Sequence, residues 1–350
     1  EKIEIALTAE AAMDAAGKPQ SAMVKPLIKS SFADISDATI DLKLAEGTPT
    51  LQMLQKALLK VGIRDTARLQ ALASALVPGL KLPVTVSSGT SVVVTVDKPG
   101  TANLNLESSC LSLKNDRGQV YSFGRERVSL VADVAFEGGD AVESITVNKL
   151  DGKFNIASVS AAEPIKITGL KAGGNLNASG VLKVDGFIEQ ISKLMQVVQA
   201  DDQPMPFAGK LAVKQTISTQ GNAIKLVGLG TVDNFQALDA ATGKPQLTEP
   251  QVKFENDLLA DPTAKVATIN RLTLDMASSQ AVKLAISGGV SEWDTSRNLN
   301  NIKLDISSVG EKLWPILYAA MSPEQKEQFK DAKLEGPITA NLVVTCLLYT

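Results

Sequence analysis

The sequence predicts a mainly β (α+β) protein: an extended, curled antiparallel sheet with a few amphipathic helices inserted in repeated strand–helix–strand units. Three observations carry this reading. Apolar and polar residues alternate along much of the chain, as in "GKLAVKQTISTQGNAIKLVGLGTVDNF" from Gly209 to Phe235, which turns on Gly221-Asn222. Period two marks a strand with one greasy face. The apolar content is mostly Val, Leu, Ile and Ala; hydrophobic residues make up 44% and aromatics only 4%, so the core is built from aliphatic side chains. Connections between alternating segments are short, which favours antiparallel pairing of neighbours.

The elements follow in order. "IDLKLAEG" reads as a strand. A helical insertion follows at about 49–77. There Leu51, Leu54, Leu58 and Val61 form one stripe, with Thr48 placed to cap ahead of Pro49, and Leu69, Leu72 and Leu76 continue it. "LKLPVTVSSGTSVVVTV" returns to strand. "RVSLVADVAF" puts Val128, Leu130, Ala132, Val134 and Phe136 on one side. "GVLKVDGF" leads into a second helix at about 187–199, with Phe187, Ile188, Ile191, Leu194, Met195 and Val198 on one face. Strands resume at "GKLAVKQTIS", with Leu211, Val213 and Ile217 facing one way.

"INRLTLDM" aligns Leu272, Leu274 and Met276. After the turn "ASSQ", the next strand aligns Val282, Leu284 and Ile286, completing a hairpin. "NIKLDIS" adds Ile302, Leu304 and Ile306. "VGEKLWPILYAAM" is a helix that Pro315 kinks or restarts. "SPEQKEQF" carries Ser322 as cap, Pro323 in the first turn and Gln325 in a capping box. "LEGPITANLVV" is the last strand.

The helical blocks each sit between a leading strand and a Gly- or Pro-introduced strand. This suggests a long-period repeat. The units expected are 1–178, with its insertion at 49–77; 179–298, with its helix at 187–199; and 299–350, the start of a truncated third. A bland alternative stays open, since any β-rich chain holds a few helices. The closing "TCLLYT" fits poorly after "ITANLVV". Residues 346–350 match the translation of a sequencing-library adapter, which suggests an environmental gene fragment with an artefactual tail.

Composition narrows the function. The 350 residues include no histidine, the commonest general base and metal ligand. Two cysteines, Cys110 and Cys346, make no disulfide framework. Charge is nearly balanced, 35 basic against 38 acidic residues, which argues against a nucleic-acid partner. No apolar run reaches the roughly 18 residues of a membrane helix.

Local motifs point nowhere stronger. Gly152-Lys153 and Gly209-Lys210 lead into Phe and Leu, so they are strand starts rather than phosphate loops. Gly228 and Gly230 lack a third partner for a dinucleotide fingerprint. Asp201 and Asp202 read as a solvated loop. Trp293 is a packed edge aromatic or a carbohydrate platform. Cys110 reads as a free thiol in a strand. Asn177-Ala178-Ser179 matches a glycosylation sequon. No catalytic residue, metal site or cofactor is assigned.

"ASGVLKVDGF", "FAGKLAVKQTISTQGNAIKLVGLGTVDNF", "INRLTLDMASSQAVKLAISGGVSEW" and "NLNNIKLDI" resemble, in texture and repeat, the AsmA-like superfamily of bacterial cell-envelope proteins, which includes the TamB type. The likeness is best over about Leu247–Leu317 and weaker over about Leu111–Gly209. It implies a non-enzymatic periplasmic protein of a Gram-negative-type envelope. It also implies anchorage to the inner membrane through a missing N-terminal segment. The implied partners are phospholipid or another acyl-chain lipid, carried in a hydrophobic β-groove, and outer-membrane assembly proteins. The long helical insertions and the missing anchor depart from that type.

The residues support a lipid surface independently. A one-sided sheet must cover its apolar face with helices, a second sheet or a ligand. The candidate lining is Leu211, Val213, Ile217, Leu272, Leu274, Met276, Val282, Leu284, Ile286, Ile302, Leu304 and Ile306. A structural or adhesive β-protein with a dry core and a carboxylate-dependent envelope-glycan enzyme are the alternatives.

Overall fold

A computed structural model of the chain describes residues 4–31, 33–44, 53–64, 84–115, 117–122, 128–138, 142–170, 177–199, 205–239, 242–261, 263–292, 298–321 and 323–347. They form a mainly β, antiparallel fold with three short helices among them. The chain divides into two units: Glu1–Leu176 with Leu194–Asp201, and Asn177–Lys193 with Asp202–Thr350.

The first unit is a meander of β1 (Glu4–Met13), β2 (Pro19–Lys29), β3 (Ala33–Lys43), β4 (Leu54–Ile63), β5 (Val84–Val96) and β6 (Thr101–Asn115), followed by β7 (Val120–Ser122), β8 (Val128–Glu137), β9 (Ser144–Lys153) and β10 (Ala157–Thr168). Each long strand pairs antiparallel with the next. The three-residue β7 pairs with one end of β6, and β8 takes up the rest of that strand. Directly opposed residues share a face. One row therefore runs Ile5–Ile28–Ile35–Val61–Val92–Leu106–Leu130–Gly152–Val159. The parallel row Ala38–Leu59–Val94–Leu104–Ala132–Leu150 lies on the same side. The reverse side carries Asp37 and Lys60, paired at 2.7 Å, and Asn103 hydrogen-bonded to Asp133. The core of this unit gathers Tyr121, Val128, Ile156 and Val197, with Leu113, Phe154 and Leu194 against them. Burial pushes the Tyr121 hydroxyl above its ordinary pKa.

The second unit holds β11 (Asn177–Phe187), β12 (Phe207–Gln220), β13 (Ala223–Leu238), β14 (Pro245–Asp261), β15 (Val266–Asp275), β16 (Lys283–Ser291), β17 (Asn298–Val309) and β18 (Pro337–Leu347), again paired antiparallel in sequence. Helix α1 (Ile188–Gln199) follows β11. Its residues to Lys193 belong to this unit and those from Leu194 to the first. Ser192 ties α1 to the strand ahead by accepting from the Met205 amide at 2.7 Å. Helices α2 (Gly310–Ala320) and α3 (Pro323–Gln328) fill the β17–β18 connection. The Glu311 carboxylate receives the Gly336 amide at 3.1 Å, which joins the start of α2 to the chain entering β18. The core is Val232, Phe235, Ala237, Leu247, Val252, Met276, Ala281 and Ala319, backed by Ile188, Phe207, Leu211, Phe254, Leu274, Val282 and Ile316.

Two expectations change. Residues 54–63, read as part of a helix at 49–77, form β4. The segment also carries a period-two pattern, Ala57, Leu59, Val61 and Ile63. Pairing of those positions with Val96, Val94, Val92 and Thr90 of β5 overrides the helical stripe. Residues 49–52 and 65–77 of that insertion lie outside the described residues. The strand–helix–strand order is present around α1 and around α2–α3. The second concerns Pro315: of the kink or restart expected there, the restart does not occur, and α2 runs through the proline. The helix forgoes the bond from residue 315 to the Glu311 carbonyl. Packing of Ile316 and Ala319 on the core offsets that loss. Ser322 lies outside the described residues. The expected boundary at 298/299 falls inside β17, which pairs with β16 in the second unit.

Bulges in the second unit keep the apolar phase. Asn301 in β17 has φ +50°, and Gly288 in the facing strand has φ +135°. The register shifts by one extra residue of β17 against both β16 and β18. A β-carbon on residue 288 would stand 2.7 Å from the Asn301 carbonyl oxygen and from Ile302 Cα. The same pairing recurs at Asn234 (φ +52°) in β13 and Gly209 (φ +147°) in β12. There a β-carbon would meet Val232 Cγ1 at 2.7 Å. Through this bulge both Val232 and Phe235, three residues apart, enter one core.

Glu249 is fully buried beside that core. Its two carboxylate oxygens receive the backbone amides of Ser278 at 3.0 Å and Ser279 at 2.8 Å, fixing the β15–β16 turn. Burial pushes its pKa up, but the hydrogen bonds from Ser279 and Ser278 outweigh burial and hold it below its ordinary value of 4.5.

Two predictions follow from these contacts. Gly288→Ala destabilises the protein by about 2 kcal/mol in urea unfolding, through backbone strain and overpacking. Asn301→Gly stays within about 0.5 kcal/mol of the parent, because glycine adopts the left-handed conformation freely. For Glu249, a depressed folded pKa means its stabilisation is complete above the unfolded value and drains as pH falls through the folded one. Glu249→Gln should therefore cost about 2 kcal/mol at pH 7, since an amide offers one acceptor oxygen for two N–H groups. The gap should narrow below pH 4.5 in urea titrations at stepped pH.

Candidate functional site: a one-sided apolar sheet face

The register of the second unit assembles the apolar residues into rows. One runs Val184–Val213–Gly230–Phe254–Leu274–Leu284–Ile306–Ala340. The next runs Leu182–Gln215–Gly228–Asn256–Leu272–Ile286–Leu304–Leu342. Ile217 lies opposite Leu226 and Ile302 opposite Val344 on the same side. The predicted lining residues thus share one face, across strands distant in sequence.

They do not share one environment. Leu211, Leu274, Met276 and Val282 lie in the core cluster that Ile188 and α2 cover. Val213, Ile217, Leu272, Leu284, Ile286, Ile302, Leu304 and Ile306 lie outside that cluster and remain partly exposed. Among the described residues, cover reaches one corner of the apolar face and leaves the rest open. Gly230 allows close packing here: a β-carbon on it would stand 2.2 Å from the Phe254 ring, which lies across β13.

The opposite face is charged. Lys253, Asp275 and Lys283 stand in one row, and Glu255 and Asp305 in the next. Arg271 pairs with Glu255 at 2.8 Å. A cavity of about 480 Å³ opens here, lined by these charged groups with Thr273, Ala285 and Ser307, and by Phe254, Leu274, Leu284 and Ile306 of the adjoining row. Leu274, Leu284 and Ile306 of the predicted apolar lining thus border this cavity, and the rest of that lining does not.

Other singled-out residues fall as follows. Gly152 and Gly209 lie within β9 and β12, and Gly228 within β13. Asn177 opens β11, where its Oδ1 accepts from the Thr219 hydroxyl at 3.3 Å. Cys110 lies in β6 and Cys346 in β18. Asp201, Asp202 and Trp293 are outside the described residues. Among those described, no cluster of three or more His, Cys, Asp or Glu is arranged to hold a metal ion, and no helix is long and apolar enough to cross a membrane.

Sequence reasoning missed Gln215 and Asn256, which sit on the apolar face at phases shared with Val213 and Phe254. The signal was present: Gln215 is a polar residue between Val213 and Ile217 in an otherwise alternating strand.

No family model, curated protein or solved structure matches this chain.

The uneven cover generates a paired prediction. Met276→Asp buries a charge in the covered corner and should cost more than about 3 kcal/mol, or unfold the protein. Ile286→Asp, on the open part of the same face, should cost about 1 kcal/mol or less. Thermal and urea unfolding of both variants measures the difference.

Proposed function

We propose that this chain is a non-enzymatic lipid-handling protein of a bacterial cell envelope, binding or conducting phospholipid or another acyl-chain lipid along the apolar face of its sheet. The carrying observation is the row Val213–Phe254–Leu274–Leu284–Ile306 with its neighbour Leu272–Ile286–Leu304, apolar across successive strands and largely uncovered among the described residues. A lipid tail laid on such a face gains about 0.8 kcal/mol for each methylene removed from water. That work requires neither nucleophile nor metal, in keeping with a chain that has no histidine. The resemblance to AsmA-like envelope proteins supports a periplasmic setting, between inner and outer membranes.

A second reading, a structural β-protein with a dry core, draws on the corner where Met276, Ala281 and Ala319 are buried in one cluster.

The test is to purify the protein without detergent, extract it, and analyse the extract by mass spectrometry, alongside titration with the fluorescent fatty acid cis-parinaric acid. Bound phospholipid and saturable probe binding are expected, with probe affinity weakened about tenfold or more by Ile286→Asp, since a buried charge costs at least about 1.4 kcal/mol. A lipid-free protein that ignores the probe supports the dry-core reading instead.

A further inference from the structure

Gln215 and Asn256 interrupt the apolar face at one point. Both oppose Gly228, from β12 on one side and β14 on the other. Gly228 has no side chain, and the two amides fold over it. A β-carbon at residue 228 would stand 2.3 Å from Gln215 Oε1 and 2.7 Å from Asn256 Oδ1. The two carbonyl oxygens therefore converge on the same small volume above the glycine.

Their amide nitrogens are engaged elsewhere. Gln215 Nε2 donates to the Thr216 carbonyl and Asn256 Nδ2 to the Leu226 carbonyl, each at 3.3 Å. Among the described residues no donor reaches either oxygen. The surroundings are apolar: Leu182 and Leu272 flank the pair in its own row, with Val213 and Phe254 in the row beside it. Two acceptors cannot satisfy each other, and once an acyl chain covers this face and excludes water an unpaired acceptor is costly. A hydrogen-bond donor placed between them satisfies both.

We infer that Gln215 and Asn256 form a polar anchor that selects lipids carrying a hydrogen-bond donor, a hydroxyl or a primary ammonium, over lipids with acceptors alone. The site rests on the proposed lipid-binding face and deepens it. Hydrocarbon contacts along the flanking rows supply affinity, and the amide oxygens supply discrimination. Neutral amides suit either donor, because each needs only an N–H or O–H directed at the two oxygens.

The experiment is competition against cis-parinaric acid with matched pairs. One pair is 12-hydroxystearate against stearate. The other is a short-chain phosphatidylethanolamine against the phosphatidylcholine of equal chain length, whose trimethylated ammonium cannot donate. The intact protein should prefer the donor-bearing member of at least one pair by about three- to tenfold, the range of one or two net hydrogen bonds. The pair that responds tells a chain hydroxyl from a headgroup ammonium. In Gln215→Leu/Asn256→Leu the preference should fall to about one while stearate affinity holds or rises. If that double variant does not fold, Gln215→Met alone should lose part of the preference.

Equal binding within both pairs in the parent, or a preference that persists in the variants, overturns the anchor and leaves the lipid-binding reading standing. A parent that binds none of the probes overturns that reading, and the anchor with it.

Discussion

Every strand here must keep its oily residues on one side of a hydrogen-bonded ladder while passing the ladder on to the next strand. Side chains alternate with a period of two, so a slip of one residue exchanges the faces completely. The rows from Ile5 to Val159 in one unit and from Val184 to Ala340 in the other exist because successive registers are in phase. Where β17 carries its extra residue, the shift is taken up against both neighbours together, β16 and β18. The facing glycine makes this possible by admitting backbone where a side chain would collide. The Glu249 carboxylate serves the same end by clamping the turn that sets the β15–β16 register.

That constraint produces two unlike surfaces. The charged side is satisfied by water and by exposed pairs such as Arg271–Glu255, which add little stability individually. The apolar side has no such remedy. Helix α2 and the first residues of α1 cover a corner of it, and Met276 and Ala319 are buried there. Away from that corner Ile286 and Leu304 remain partly exposed. On the proposed reading, acyl chains supply the missing cover, and the amides above Gly228 read the polar part of what arrives.

Strands were legible in the sequence because alternation records burial directly. The β15–β16 hairpin, its turn and its facing residues Leu274 and Leu284 can be read from the letters alone. The helices at 188–199 and 310–320 were equally legible, since their apolar stripes lack a competing period-two pattern. Residues 54–63 were not, because Ala57, Leu59, Val61 and Ile63 satisfy both periods and only pairing with β5 decides. The lining residues share a face as alternation required. Their division into covered and open sets depends on where α2 lands, which no local pattern encodes. Gln215 and Asn256 meet across β13 only through register, so their convergence over Gly228 is invisible until the strands are laid side by side.

The asparagine–glycine bulge bears on how such a chain can change over time. Deleting Asn301 would take out the bulge and leave Leu299, Ile302, Leu304 and Ile306 on one side, whereas deleting Lys303 from the regular stretch would turn the residues on one side of the gap inside out. Loss of a single residue from a regular stretch of a strand is therefore ruinous, whereas loss or gain of a whole hairpin leaves the phase of its neighbours intact. A fold of this kind drifts in length by strand pairs, and its bulges mark where a single inserted residue has been absorbed without loss of phase.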